Sequence, residues 1–71
     1  MYNVNIWPGD SWAKGGISHE QGFRSGCGDE EYLTKLNDGL QHCFEHFKPD
    51  ILLFNAGTDV LMGDPLGCCK V

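Results

Sequence analysis

Basic residues are scarce in this chain: five Lys and Arg stand against ten Asp and Glu in 71 residues, a formal net charge of −5. That balance argues against phosphate-backbone binding, which needs a basic stripe. No apolar stretch reaches the roughly 20 residues of a membrane span. The opening Met1-Tyr2-Asn3-Val4-Asn5 has no basic region followed by an apolar core, so no export signal is expected. Repeats and low-complexity tracts are missing too. What remains is an ordinary globular composition, 41% hydrophobic and 21% charged, which excludes wholesale disorder. A chain this short holds one domain at most and a thin core.

Four cysteines, Cys27, Cys43, Cys68 and Cys69, form an even set. With no export signal, and with Cys43 on the apolar face of an expected helix, reduced thiols in a nuclear or cytosolic protein are the preferred reading over disulfides.

The clearest element is a helix from about Asp29 to Phe47. Asp29 is a suitable N-cap, and Glu30 and Glu31 place negative charge where the helix dipole favours it. Leu33, Leu36, Leu40, Cys43, Phe44 and Phe47 fall within an arc of about 100°, one apolar stripe. Pro49 forces Lys48 out of helical geometry and ends the run. Upstream, Tyr2 to Trp7 alternates as a short strand or extended loop. Ala13 to Gly28 reads as a long loop with room for a short helix or strand.

After the helix, the uncharged run Ile51 to Phe54 reads as a buried parallel strand. It stops at Asn55-Ala56-Gly57 and is followed by Asp59 and Asp64 in a loop punctuated by Gly and Pro. Ligands collect at the carboxyl ends of such strands. Helix, short loop and strand together are half of an α/β repeat, so the expected class is α/β, one main helix followed by a central strand. A buried-type strand needs neighbours on both sides, more than a 71-residue chain offers. The pattern therefore predicts a piece of something larger.

Candidate sites have plain alternatives. His42-Cys43-Phe44-Glu45-His46 matches an inverted zinc-peptidase pattern. Both histidines fall on the helix face opposite the apolar stripe, so a solvated face is the expected reading. His19 is expected at the surface. Cys68 and Cys69 lack Cys or His partners at zinc-site spacing and are read as small packing residues after the Gly67 turn. Asp64 can serve as a turn residue or a ligand, and Asp59 as a loop-capping acid.

Taken in order along the chain, these segments resemble the zinc-dependent histone deacetylase family, in particular its class IV branch. Asn55-Ala56-Gly57-Thr58-Asp59-Val60-Leu61-Met62-Gly63-Asp64-Pro65-Leu66-Gly67 carries the closest similarity. Met1-Tyr2-Asn3, Ile6-Trp7-Pro8-Gly9-Asp10 and Ala13-Lys14 resemble the stretch after the family's first metal-binding loop. Ser25-Gly26 and Gly28-Asp29-Glu30-Glu31-Tyr32-Leu33 resemble the helix entry. The resemblance implies an arginase/deacetylase-type parallel-sheet fold, of which residues 1–71 are an incomplete single domain from the C-terminal part of the catalytic region. It implies Asp64 as a zinc ligand and Trp7 as an aromatic wall of the acyl-lysine tunnel, where the family more often has Tyr or Phe. The implied reaction is hydrolysis of acyl-lysine amides by metal-activated water, with Zn2+ as cofactor, histone tails as the substrate type and a nuclear or cytoplasmic setting.

The sequence has no His-His pair, no Asp-x-His motif and no downstream Gly-Gly-x-Tyr segment, so the isolated chain is expected to be inactive. Two other classes stand beside this reading: a non-catalytic interaction module from a truncated isoform, and a small Cys/His metal or redox protein.

Overall fold

The structure is a computed structural model that describes residues 1–5, 9 and 11–71. Its elements in chain order are strand β1 (Tyr2–Asn3), a 3-10 turn (Ala13–Gly16), strand β2 (Gly22–Phe23) and helix α1 (Asp29–His46). β1 and β2 are parallel, with Tyr2 opposite Gly22 and Asn3 opposite Phe23. The long loop read from the sequence thus holds both a helical turn and a strand. A second parallel bridge joins Gly28 to Lys70 and brings the end of the chain beside the entry to α1.

Helix α1 forms as its periodicity demands, but its first cap differs from expectation. Gly28, not Asp29, is the N-cap, extended at φ −104° and ψ −175° with no side-chain cap bond. Asp29, Glu30 and Glu31 all lie inside the first turn, where their charge still complements the dipole. At the other end Phe47 turns extended, and its N–H reaches the Cys43 carbonyl at 2.8 Å. The restriction on Lys48 before Pro49 accounts for the stop.

The expected central strand does not form. Residues 51–58 have no regular secondary structure, and Leu53 is 92% exposed. The apolar run has β propensity, but a strand exists only through ladder partners. The strands present are two residues long and lie elsewhere. The helical stripe shares this condition. Leu36 and Cys43 are half-buried, while Leu33, Leu40, Phe44 and Phe47 are exposed. What α1 buries is Gly39, whose bare backbone lets the Gln21 side chain approach to ordinary van der Waals distance of the missing Cβ.

Among the described residues the core is Phe23, Cys27 and Cys69, with Tyr32 and Val60 packed against it. Tyr32 meets Phe23 edge-on, with ring centroids 5.6 Å apart. Lys35 fastens the helix to β2 by donating to the Gly22 carbonyl at 2.9 Å, and it pairs with Glu31 at 3.0 Å.

Leu53→Asp with Phe54→Ser is expected to leave helical ellipticity and stability within about 0.5 kcal/mol of the parent, because these side chains are exposed. The same pair should reduce self-association and dye binding by the isolated chain. Circular dichroism with sedimentation velocity checks both. A large loss of helix would show that the run is packed.

Candidate functional site

Asp64 sits in a short, well-bonded loop. Its own N–H donates to the Leu61 carbonyl at 3.1 Å, after Leu61 N–H has bonded the Thr58 carbonyl at 3.2 Å. Gly63 before it takes φ +95°, a conformation for which glycine is suited. Oδ1 of Asp64 then accepts two backbone N–H groups, from Leu66 at 2.8 Å and Gly67 at 3.0 Å. This is the turn chemistry expected of Gly-Asp-Pro. Oδ2 makes no hydrogen bond among the described residues. One oxygen thus holds the loop, and the other is left without a partner among the described residues.

The loop is anchored from both sides. Gly67 lies so close to the backbone carbonyl of Asp59 that a Cβ on it would overlap that group. The Gly67 carbonyl accepts the amide Nδ2 of buried Asn3 at 2.9 Å and the Cys69 thiol at 3.2 Å. Asp59, half-buried, supplies its backbone to this contact. Burial pushes the Cys69 thiol up, and the Asp59 charge adds to the effect.

Trp7 lies outside the described residues. Cys69 is buried, as a packing residue should be, but Cys68 is exposed at φ +54° and packs nothing. The left-handed backbone at Cys68 separates the two neighbours, one exposed and one in the core. Cys27, which no sequence pattern singled out, is among the most deeply buried side chains. Its flanking glycines disguise a strand-like segment that only the Lys70 bridge makes visible.

The three histidines come together. His19 stacks on His42 with centroids 4.0 Å apart, and His42 on His46 at 4.1 Å. His42 is half-buried rather than solvated, because the 18–20 loop folds over it. His46 Nδ1 contacts the His42 carbonyl at 2.8 Å, and Nε2 of His19 is buried without a partner among the described residues. Stacked rings direct their nitrogens along parallel planes rather than onto one point. Among the described residues no group of three or more His, Cys, Asp or Glu is arranged to hold a metal ion. A complete zinc site is therefore not supplied by them, since such sites need three or four protein ligands.

Desolvation, then the charges of His19 and His46, push the His42 pKa below its ordinary value, with Glu45 opposing. A base with a depressed folded pKa binds its proton more weakly folded than unfolded. Its neutral form therefore supports the fold at high pH, and that support fades as pH falls below about 6.5. NMR titration should find His42 titrating below the ordinary histidine value. The 18–20 loop should loosen as pH falls below about 6.5, with faster amide exchange. His42→Phe should flatten this dependence.

A family model for the histone deacetylase domain matches residues 2–71. Histone deacetylase 2 of Arabidopsis thaliana is 42% identical over 71 residues, covering all of this chain and 18% of the relative. Histone deacetylase 18 of the same plant is 52% identical over 70 residues, 99% of the chain and 8% of the relative. Histone deacetylase HDA1 of Saccharomyces cerevisiae is 30% identical over 70 residues, again 99% of the chain and 8% of the relative. The chain thus spans less than a fifth of the length of these relatives. No solved structure matches it.

Proposed function

Since the chain belongs to the histone deacetylase family, we propose that it is part of a zinc-dependent protein lysine deacetylase domain, contributing one carboxylate, Asp64, to the metal centre. The observation that carries this reading is the held Asp64 loop. Oδ1 is fixed by two backbone amides and Oδ2 has no hydrogen bond among the described residues, a posture suited to ligation. Within the described residues this carboxylate has no co-ligands, so the remaining ligands must come from other segments of a complete domain. Trp7 is assigned to the wall of the channel that admits the acyl-lysine side chain. Histone tails are the substrate type, with a nuclear or cytoplasmic setting.

The arginase/deacetylase-type parallel sheet belongs to this proposal as well. It explains why Ile51 to Phe54 and the α1 stripe are exposed: both are surfaces that a larger sheet would cover. The finer class IV placement rests on the Asn55 to Gly67 motif. No described helix is long and apolar enough to cross a membrane.

The isolated chain should show no turnover of acetyl-lysine peptide. It should bind zinc no better than an unstructured Cys/His peptide, checked with a chelator control. Zinc-dependent turnover by the chain alone would overturn the partial-domain reading.

A chimera tests the assignment directly. Residues 2–71 would replace the matching segment of Arabidopsis histone deacetylase 2, with activity first established for the parent. The chimera should retain activity within about tenfold, and Asp64→Asn in it should lose at least about 100-fold. Asn keeps an oxygen acceptor for the Leu66 and Gly67 amides, so the turn survives and the loss reads ligation. Unchanged activity of the chimera after Asp64→Asn would remove Asp64 from the metal site.

A further inference from the structure

The bridge between Gly28 and Lys70 places two segments side by side in parallel register. Lys70 N–H donates to the Cys27 carbonyl at 2.8 Å, and Gly26 N–H donates to the Cys68 carbonyl at 2.7 Å. One residue before the bridged pair on each segment stand Cys27 and Cys69. They stand at equal offsets from the bridge, and both are buried in one cluster with Phe23. Neighbouring strands lie about 4.8 Å apart. A disulfide spans Cα atoms about 4.4–6.8 Å apart, so a buried cysteine pair this near a bridged pair is suited to closure.

Burial agrees with the register. Cys27 is 2% exposed and Cys69 5%, and both belong to one core cluster with Phe23. Both thiols are free, as are exposed Cys68 and half-buried Cys43. Their core neighbours are Phe23, Tyr32 and Val60, with the Asn3 amide 3.8 Å from the Cys69 sulfur and the Glu31 carboxylate acting on Cys27.

We propose that Cys27 and Cys69 are a paired redox site, closing to an intrachain disulfide under hydroperoxide and so fastening the Asp64 loop to the entry of helix α1. The chemistry balances in two steps. The Cys69 thiolate attacks one oxygen of hydrogen peroxide, the O–O bond breaks, and the products are a sulfenic acid and hydroxide, which takes up the proton the thiol released and leaves as water. The Cys27 thiolate then attacks the sulfenic sulfur, forms the S–S bond and expels hydroxide, which leaves as water after protonation. Two thiols lose two electrons and peroxide gains them.

Closure exchanges a weak contact for a covalent one, because the Cys69 thiol no longer donates to the Gly67 carbonyl. That carbonyl keeps its bond from Asn3. Burial, the largest cause for each, pushes both thiols up, so thiolate is scarce and the first step is slow at neutral pH.

The adjacent Cys68 provides an internal comparison. In an unfolded chain, loops closed from Cys27 to residue 68 or 69 differ by one residue and cost nearly the same entropy. Any preference for Cys69 therefore reads the fold. Two variants of the whole chain are compared under hydrogen peroxide, one with Cys43→Ser and Cys68→Ser, the other with Cys43→Ser and Cys69→Ser. Disulfide formation is followed by loss of alkylatable thiols and a mass decrease of about 2 Da.

In native buffer the variant retaining Cys69 should convert at least about fivefold more of its oxidised thiols to intrachain disulfide, and in concentrated urea the two yields should converge. In the unsubstituted chain, peptide mapping should find Cys27 joined to Cys69. Equal native yields, a higher disulfide yield from the Cys68 variant, or mapping that joins Cys27 to Cys43 would each overturn the proposal.

Discussion

The buried amide of Asn3 is the contact on which the arrangement depends. It is 5% exposed, at the start of the chain, and it bonds the Gly67 carbonyl near the end. The same nitrogen reaches Ser25 Oγ at 3.3 Å, and the side-chain oxygen accepts the Asn5 N–H at 3.0 Å. A buried amide left without these partners costs about 1–3 kcal/mol, so the three segments hold their places together or not at all. Cys69, Phe23 and Cys27 fill the space beneath, and Gly67 is small enough to lie against Asp59. With so small an apolar core, polar closure of this kind carries an unusual share of the organisation.

The same economy explains what remains uncovered. Helix α1 offers a stripe suited to a sheet, and Ile51 to Phe54 has the composition of a buried strand. Neither finds its counterpart among the described residues. Hydrophobic burial needs a second surface, and ladder hydrogen bonds need a second backbone. The family match extends over residues 2–71 while the relatives are more than five times as long. Exposed apolar surface of this extent fits a segment whose packing partners belong to a larger domain.

Within that frame the Asp64 loop is the best-formed part of the candidate site. Its turn is local, built from Gly63, Pro65 and the Leu66 and Gly67 amides, so it persists without the surrounding sheet. Ligation of a metal is not local. It needs several side chains to converge, and residues distant in sequence converge only when a whole domain folds.

Much was legible in the residues alone. The i, i+3, i+4 spacing from Leu33 to Phe47 and the stop before Pro49 determined α1, because a helix closes its hydrogen bonds within its own segment. Gly63-Asp64-Pro65 likewise determined a turn. The N-cap moved to Gly28 because its extended backbone, set by the Lys70 bridge, starts the helix one residue earlier. Tertiary structure alone decided the fate of Ile51 to Phe54, since a strand's bonds are made by other segments. It also decided the histidine stack, which required the 18–20 loop to fold onto α1, and the meeting of Cys27 with Cys69. Those pairs are far apart along the chain, and local pattern carries no information about which distant segment will lie alongside.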